Sequence, residues 1–166
     1  MSKKIVSAIV TSLGSIISKK FLVFLISMCP ILELRGGLIA AALLDLNPLE
    51  SYILCILGNI IPIPFILWFM NKILNFMRNS KHLKKIASWL DKKVDKNKSK
   101  LEKYGYLGLI LFVGIPLPGT GAWTGCMVAS VHELDKKKSF ISAVIGVIMA
   151  SIIMMILSFG LIKSII

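Results

Sequence analysis

The stretch Cys29-Pro30-Ile31-Leu32-Glu33-Leu34-Arg35-Gly36-Gly37 interrupts an apolar block that runs from residue 21 to 44. A second apolar block, 105 to 131, is interrupted by Gly114-Ile115-Pro116-Leu117-Pro118-Gly119-Thr120-Gly121. Proline removes a helix donor and paired glycine relaxes the backbone, so each block reads as two short helical arms joined by a break. Unwound backbone at membrane depth is tolerated only where protein buries it or a polar cavity receives it. The two breaks therefore imply a site.

Each broken block is followed by an unbroken one. Ser51 to Asn75 and Ser139 to Ile162 contain no acidic residue, and Lys72 lies only at the edge of the first. At about 24 residues each can cross a ~30 Å hydrocarbon core as a helix. Ile5 to Ser18, behind Lys3 and Lys4, has the basic start of a signal peptide but no convincing small-x-small cleavage site. It is too short to span and predicts an interfacial or half-length helix. The whole composition agrees: of 166 residues 56% are hydrophobic and 17% charged, which excludes a soluble globule and a disordered chain. Cys29, Cys55 and Cys126 stand alone inside apolar stretches and read as reduced, packed thiols.

The net charge of +12 is concentrated between the two broken blocks. From Lys72 to Lys103 there are eleven basic residues against Asp91, Asp95 and Glu102, which marks segment 76–103 as the cytoplasmic face. Leu83, Ile86, Leu90, Val94 and Leu101 recur there at helical spacing, with Trp89 beside them, as in a basic amphipathic helix lying on lipid headgroups. Anionic lipid is thus the expected partner rather than nucleic acid, and a solvated linker is the plainer alternative.

A shift of 88 residues places Pro30 on Pro118, Gly37 on Gly125, Ala41 on Ala129, Ser51 on Ser139, Ile53 on Ile141 and Gly58 on Gly146 without a gap. The same shift superposes broken block on broken block and spanning block on spanning block. Repeat one is 21–75 and repeat two 105–163, within a single membrane domain, 1–166. If each broken block is a re-entrant hairpin, the two copies are inverted; if each spans, they are parallel. The positive-inside count alone slightly favours spanning.

Glu33 and Arg35 are the charges deep inside an apolar block, at about 2.5–3.5 kcal/mol each on insertion scales if they reach the bilayer centre. They are read either as an ion pair that pins the turn or as a binding site. In the second reading Arg35 and the free amides of Gly36 and Gly37 clamp an anion or phosphate, and Glu33 exchanges a proton or couples a cation. The second break offers the amides and hydroxyls of Gly119, Thr120, Gly121 and Thr124 with the Trp123 indole. Asn59, beside Pro62 and Pro64, either reaches the first turn or makes an interhelical hydrogen bond. Asp45 and Glu50 read as a wetted loop, and His82 and His132 as solvated side chains without metal-ligand spacing. No nucleophile elbow, HExxH, P-loop or dinucleotide fingerprint is present, and no enzyme, metal or cofactor is expected.

Pro30, Glu33-Leu34-Arg35-Gly36-Gly37, Gly58-Asn59 with Pro62 and Pro64, and Gly114 through Gly125 together resemble the small multidrug export family. The likeness covers nearly the whole chain and includes Tyr104-Gly105 upstream of the second motif. Ile39 stands where that family often has proline. The family in turn resembles the DedA-type lipid-scramblase and flippase superfamily, which implies two re-entrant hairpins, each followed by a transmembrane helix, and hence inverted copies. Arginine, usual in the second hairpin of that superfamily, is replaced here by the uncharged Gly119 to Thr124 stretch.

The expectation is an all-α integral membrane protein with an N-terminal interfacial helix, a central basic amphipathic helix and an inverted repeat of re-entrant hairpin plus transmembrane helix. It is multi-pass in a bacterial cytoplasmic membrane and works as a homodimer. Its function is transport of an amphiphilic, phosphate-headed substrate such as anionic phospholipid or polyprenyl phosphate, proton-coupled through Glu33. Export of small hydrophobic cations, with Trp123 as the aromatic wall, and a non-transporting membrane scaffold are the alternatives.

Overall fold

The break after Met28 separates two short helices that lie side by side. In the computed structural model, which describes residues 6, 18–80, 83–117 and 119–161 apart from the side chains of 93–103 and 161, α1 is Lys19–Met28 and α2 is Glu33–Leu43. At ten and eleven residues each arm rises only about 15 Å, half of a hydrocarbon core. Gly37 sets how closely the arms approach. A Cβ there would overlap the Ser27 hydroxyl on α1 and stand 2.8 Å from Cys55 Sγ on α3, Pro48–Ile60. Gly58 does the same for α3 and α1, where a Cβ would stand 2.7 Å from the Phe24 carbonyl oxygen. Small residues at the contact let the helices approach closely, the packing mode that serves where the surroundings are as apolar as the side chains.

Helix α4, Pro62–Asn79, follows α3 directly: Ile61 between them keeps helical φ and ψ of −53° and −44°. The ladder breaks there because Pro62 and Pro64 bring no N–H. Together α3 and α4 make a 32-residue apolar helix, and Lys136–Gly160 makes a second of 25 residues; both are long and apolar enough to cross a membrane. Helix α5, Lys84–Gly114, carries the basic segment and turns at Gly105, where φ is 55° and ψ −131°. Tyr104–Gly114 beyond the turn is a short apolar helix that packs on α6, Ala122–Val131. Helix α7, Lys136–Met155, ends in a π-helical stretch, Ile156–Leu161, that packs against α2. No strand occurs among the described residues.

Local features recur at the spacing expected from sequence. Asp45 and Glu133, 88 residues apart, both take positive φ, 51° and 55°. The turn amides pair alike: Leu46 N donates to Ala41 O and Leu134 N to Ala129 O, both at 3.0 Å. Asn47 Oδ1 accepts from the Leu49 and Glu50 amides at the start of α3, and Asp135 Oδ1 accepts from the Lys138 amide at the start of α7. Gly125 is pressed on Leu109, Phe112 and Val113, as Gly37 is on its neighbours, and Gly146 meets the Ile110 carbonyl and Val113 as Gly58 meets the Phe24 carbonyl and Ser27. By these contacts the first arms correspond at a spacing of 86, Phe24 to Ile110 and Ser27 to Val113, and their ends, Met28 and Gly114, are likewise 86 apart. The two spanning helices each start three residues before the hydropathy blocks do, at Pro48 and Lys136, because the caps at Asn47 and Asp135 set their ends.

Two compact units divide the chain, Met1–Pro62 with Val147–Ile166 and Ile63–Gly146. Each contains one hairpin, the first part of the helix that follows it, and the last part of the other long helix. Both units bury apolar side chains, Leu22, Leu34 and Leu38 in one and Ile63, Leu67 and Leu109 in the other, and also expose large ones along the long helices. On α7 most of the buried residues are small, Ser139, Ser142, Ala143, Gly146, Ala150 and Ser151, with Val147 and Met154 among them, whereas Ile141, Ile145, Ile148 and Ile152 form an exposed stripe that Ile156 continues. On α4 the exposed stripe is Phe65, Trp68, Phe69, Ile73 and Phe76. Large apolar side chains facing outward along whole helices suit lipid. The N-terminal stretch expected to be interfacial lies outside the described residues, Val6 excepted.

Candidate functional site

In the first hairpin Glu33 opens α2, 6% exposed, with φ at 50°. Its amide donates to the Cys29 carbonyl at 2.8 Å, so the break closes as a tight turn before the helix starts. Arg35 is half-buried one position beyond Leu34, and the charges of Glu33 and Arg35 interact. Two expectations are corrected here. The Gly36 amide is not free: it donates to the Leu32 carbonyl at 2.8 Å, because helical pairing reaches back across the break. Gly37 is a packing position pressed on Ser27 and Cys55, inside α2 rather than at an open end. The charged groups of the hairpin are the Glu33 and Arg35 side chains.

Asn59 belongs to the same unit, 2% exposed near the end of α3. Its Oδ1 is enclosed and has no hydrogen-bond partner, so neither the expected interhelical bond nor a neighbouring amide satisfies it. Sequence reasoning named this residue but had no means of knowing that its oxygen is left over.

The second hairpin is a closed polar turn without charge. Gly119 and Gly121 take φ of 85° and 138°. The Thr120 hydroxyl donates within the turn to the Ile115 and Leu117 carbonyls, each at 2.9 Å, and the Thr120 amide also goes to Leu117 O. Its hydroxyl and amide thus hold the break together rather than standing open to a ligand. Thr124 is buried in the first turn of α6, and Trp123 beside it is half-buried. These residues and those of the first hairpin belong to different compact units.

Outside the hairpins, Arg78 makes a two-pronged pair with Asp91, 2.6 and 3.1 Å, which fastens the start of the basic helix to the end of α4. On that helix Ala87 is fully buried between half-buried Leu83 and Leu90, while Ile86 and Trp89 are exposed. Val94 and Leu101 lie outside the described side chains. Glu50 is in the first turn of α3 and pairs with Lys20 at 2.7 Å, so only Asp45 of the expected wetted pair is a simple loop residue. His132 is not solvated as expected: it is half-buried and its Nε2 is enclosed without a partner, while His82 lies outside the described residues. Cys55 and Cys126 are buried, but Cys29, at the break, is exposed; all three are free thiols. Among the described residues no cluster of His, Cys, Asp or Glu has metal-ligand geometry.

The family described as "Putative small multi-drug export protein" matches residues 33–153, from Glu33 of the first hairpin almost to the end of α7. The chain belongs to this family. Its membership agrees with the lipid-facing stripes and the two long apolar helices: this is an all-helical membrane protein of an export family. No curated protein and no solved structure matches the chain.

Proposed function

We propose that the chain transports an amphiphilic substrate with an anionic, phosphate-bearing head, and that the first hairpin holds that head. The observation that carries this is the charged pair at the break: Glu33, 6% exposed, next to Arg35 in an otherwise apolar hairpin. A guanidinium binds phosphate through two parallel donors, and a carboxyl in a poorly hydrated place exchanges a proton between states of different access. Arg35 is the anion-binding group and Glu33 the proton-coupling group.

The hairpins are re-entrant in this proposal, so each repeat crosses the membrane once, the copies are inverted, and the basic helix lies on the headgroups of the cytoplasmic leaflet. Arms of about 15 Å lying side by side support a return to the same surface. Cysteines at Lys19→Cys and Asp45→Cys are expected to react with an impermeant reagent from one side; reaction from opposite sides would establish spanning. The protein works as a homodimer in the bacterial cytoplasmic membrane.

The direct test is reconstitution into vesicles with fluorescent-headgroup phospholipid, comparing the wild type with Arg35→Ala and Glu33→Gln. Translocation lost in Arg35→Ala and made pH-independent in Glu33→Gln is expected. Equal translocation in all three would overturn the assignment. The family description favours a second reading, export of hydrophobic cations. It would be carried by dye efflux that depends on Glu33 and survives Arg35→Ala.

A further inference from the structure

Helices α2 and α3 run antiparallel across the short connection Leu44 to Asn47, and the contact of Gly37 with Cys55 fixes their register. One helical turn toward the break, that register brings Glu33, at the start of α2, to the level of Asn59 near the end of α3. Both are buried, 6% and 2% exposed. Asn59 Oδ1 is an acceptor with no donor, in a place where water cannot repair the loss. An enclosed acceptor is satisfied when a bound group brings it an N–H or O–H, and a carboxylate at the same level makes a cationic donor the best fit.

We propose that Glu33 and Asn59 form a subsite for an ammonium carrying N–H donors, so that the first hairpin selects a headgroup containing both a phosphate and a primary amine. The inference rests on the assignment of the phosphate to Arg35. Arg35, two residues from Glu33 on α2, takes the phosphate, and the amine reaches the carboxylate and Asn59 Oδ1. Asn59 is then a specificity-determining residue that counts N–H groups. A trimethylammonium has the same charge and none of these donors, so it leaves Oδ1 unpaired; recognition of such a group uses aromatic faces instead. The same chemistry occurs in a free phosphate ester of ethanolamine and in the corresponding lipid.

The test is native mass spectrometry of the detergent-purified wild type with phosphatidylethanolamine, its mono- and dimethylated forms, phosphatidylcholine and phosphatidylglycerol. Retention is expected to fall stepwise as methyl groups replace N–H, by about tenfold over the series. Free O-phosphoethanolamine as competitor distinguishes the sources: displacement of the lipid makes the soluble ester a ligand, and no displacement makes the lipid the ligand. Asn59→Leu should flatten the series, and Asn59→Asp, which keeps an acceptor, should restore it; Glu33→Gln should flatten it as well. A flat series in the wild type would overturn the subsite, as would a series unchanged in Asn59→Leu. Loss of phosphatidylglycerol in neither Arg35→Ala nor any other variant, or no phospholipid retained at all, would instead remove the phosphate assignment on which the subsite stands.

Discussion

In the first hairpin Gly37 is pressed on Ser27 and Cys55, and one turn away stand Glu33 and an acceptor without a donor. In the second, Gly125 is pressed on Leu109, Phe112 and Val113, and no charged residue occurs between Gly105 and Val131. The arm contacts, the positive-φ turn and the capped helix start recur in both. Recurrence of the frame without its polar contents separates what folding requires from what binding requires. The glycines and caps belong to the first; under the proposed function Glu33, Arg35 and Asn59 belong to the second.

The sharpest challenge to that division is a methyl group at each glycine. Gly37→Ala meets the Ser27 hydroxyl, which is held to the Val23 carbonyl at 2.9 Å, and Cys55 Sγ, so the neighbours cannot retreat easily. Gly125→Ala meets the far ends of Leu109 and Val113 at 2.9 Å, which can rotate. A loss of about 3 kcal/mol is expected at Gly37 and about 1 kcal/mol at Gly125, read from thermal unfolding in detergent. Equal losses would show that the two frames are packed alike and that the polar contents of the first do not tighten it.

Next in size is the charged pair. Removing Arg35 leaves the buried Glu33 carboxylate without its nearby cation, so Arg35→Ala should cost about 2 kcal/mol or more, and adding Glu33→Gln should return most of it. Additive losses in this double-mutant cycle would mean that the two side chains act independently. A strong coupling together with unchanged translocation in every variant would leave the pair as a pin for the turn, the structural reading open from sequence.

Much of the frame is legible in the chain because glycine, proline and cap residues each act through one local rule. The 88-residue correspondence rests on such positions, and the turns at Asp45 and Glu133 and the caps at Asn47 and Asp135 follow it. The contents are harder to read because they depend on which groups other parts of the structure have already taken. Gly36 has a free amide on paper, and Leu32 uses it. The Thr120 hydroxyl looks available, and the carbonyls of Ile115 and Leu117 claim it. The face that the start of the basic helix turns to its neighbours is also set by packing: Ala87 is buried between Leu83 and Leu90, while Ile86 and Trp89 stay exposed. Conversely, nothing in sequence announces that Asn59 Oδ1 has no donor.

The caps test the shared frame at about 1 kcal/mol. Asn47→Ala removes the acceptor for two amides and Asp135→Ala the acceptor for one, with a charge that favours the helix start. Comparable losses in thermal unfolding are expected, and a loss confined to one would show that only that helix depends on its cap.

The smallest effect is the most discriminating between the two connections. Asp45 and Glu133 occupy the same left-handed turn, but aspartate tolerates that region through its short side chain whereas glutamate has no such compensation. Glycine relieves the strain at either site and gains freedom in the unfolded chain, and the two effects oppose each other. Asp45→Gly should therefore be nearly neutral and Glu133→Gly stabilising by about 0.5 kcal/mol, seen as a small rise in the unfolding temperature. If the order were reversed, Asp45 would be the more strained residue, and the equality of the two turns would hold for backbone angles but not for energy.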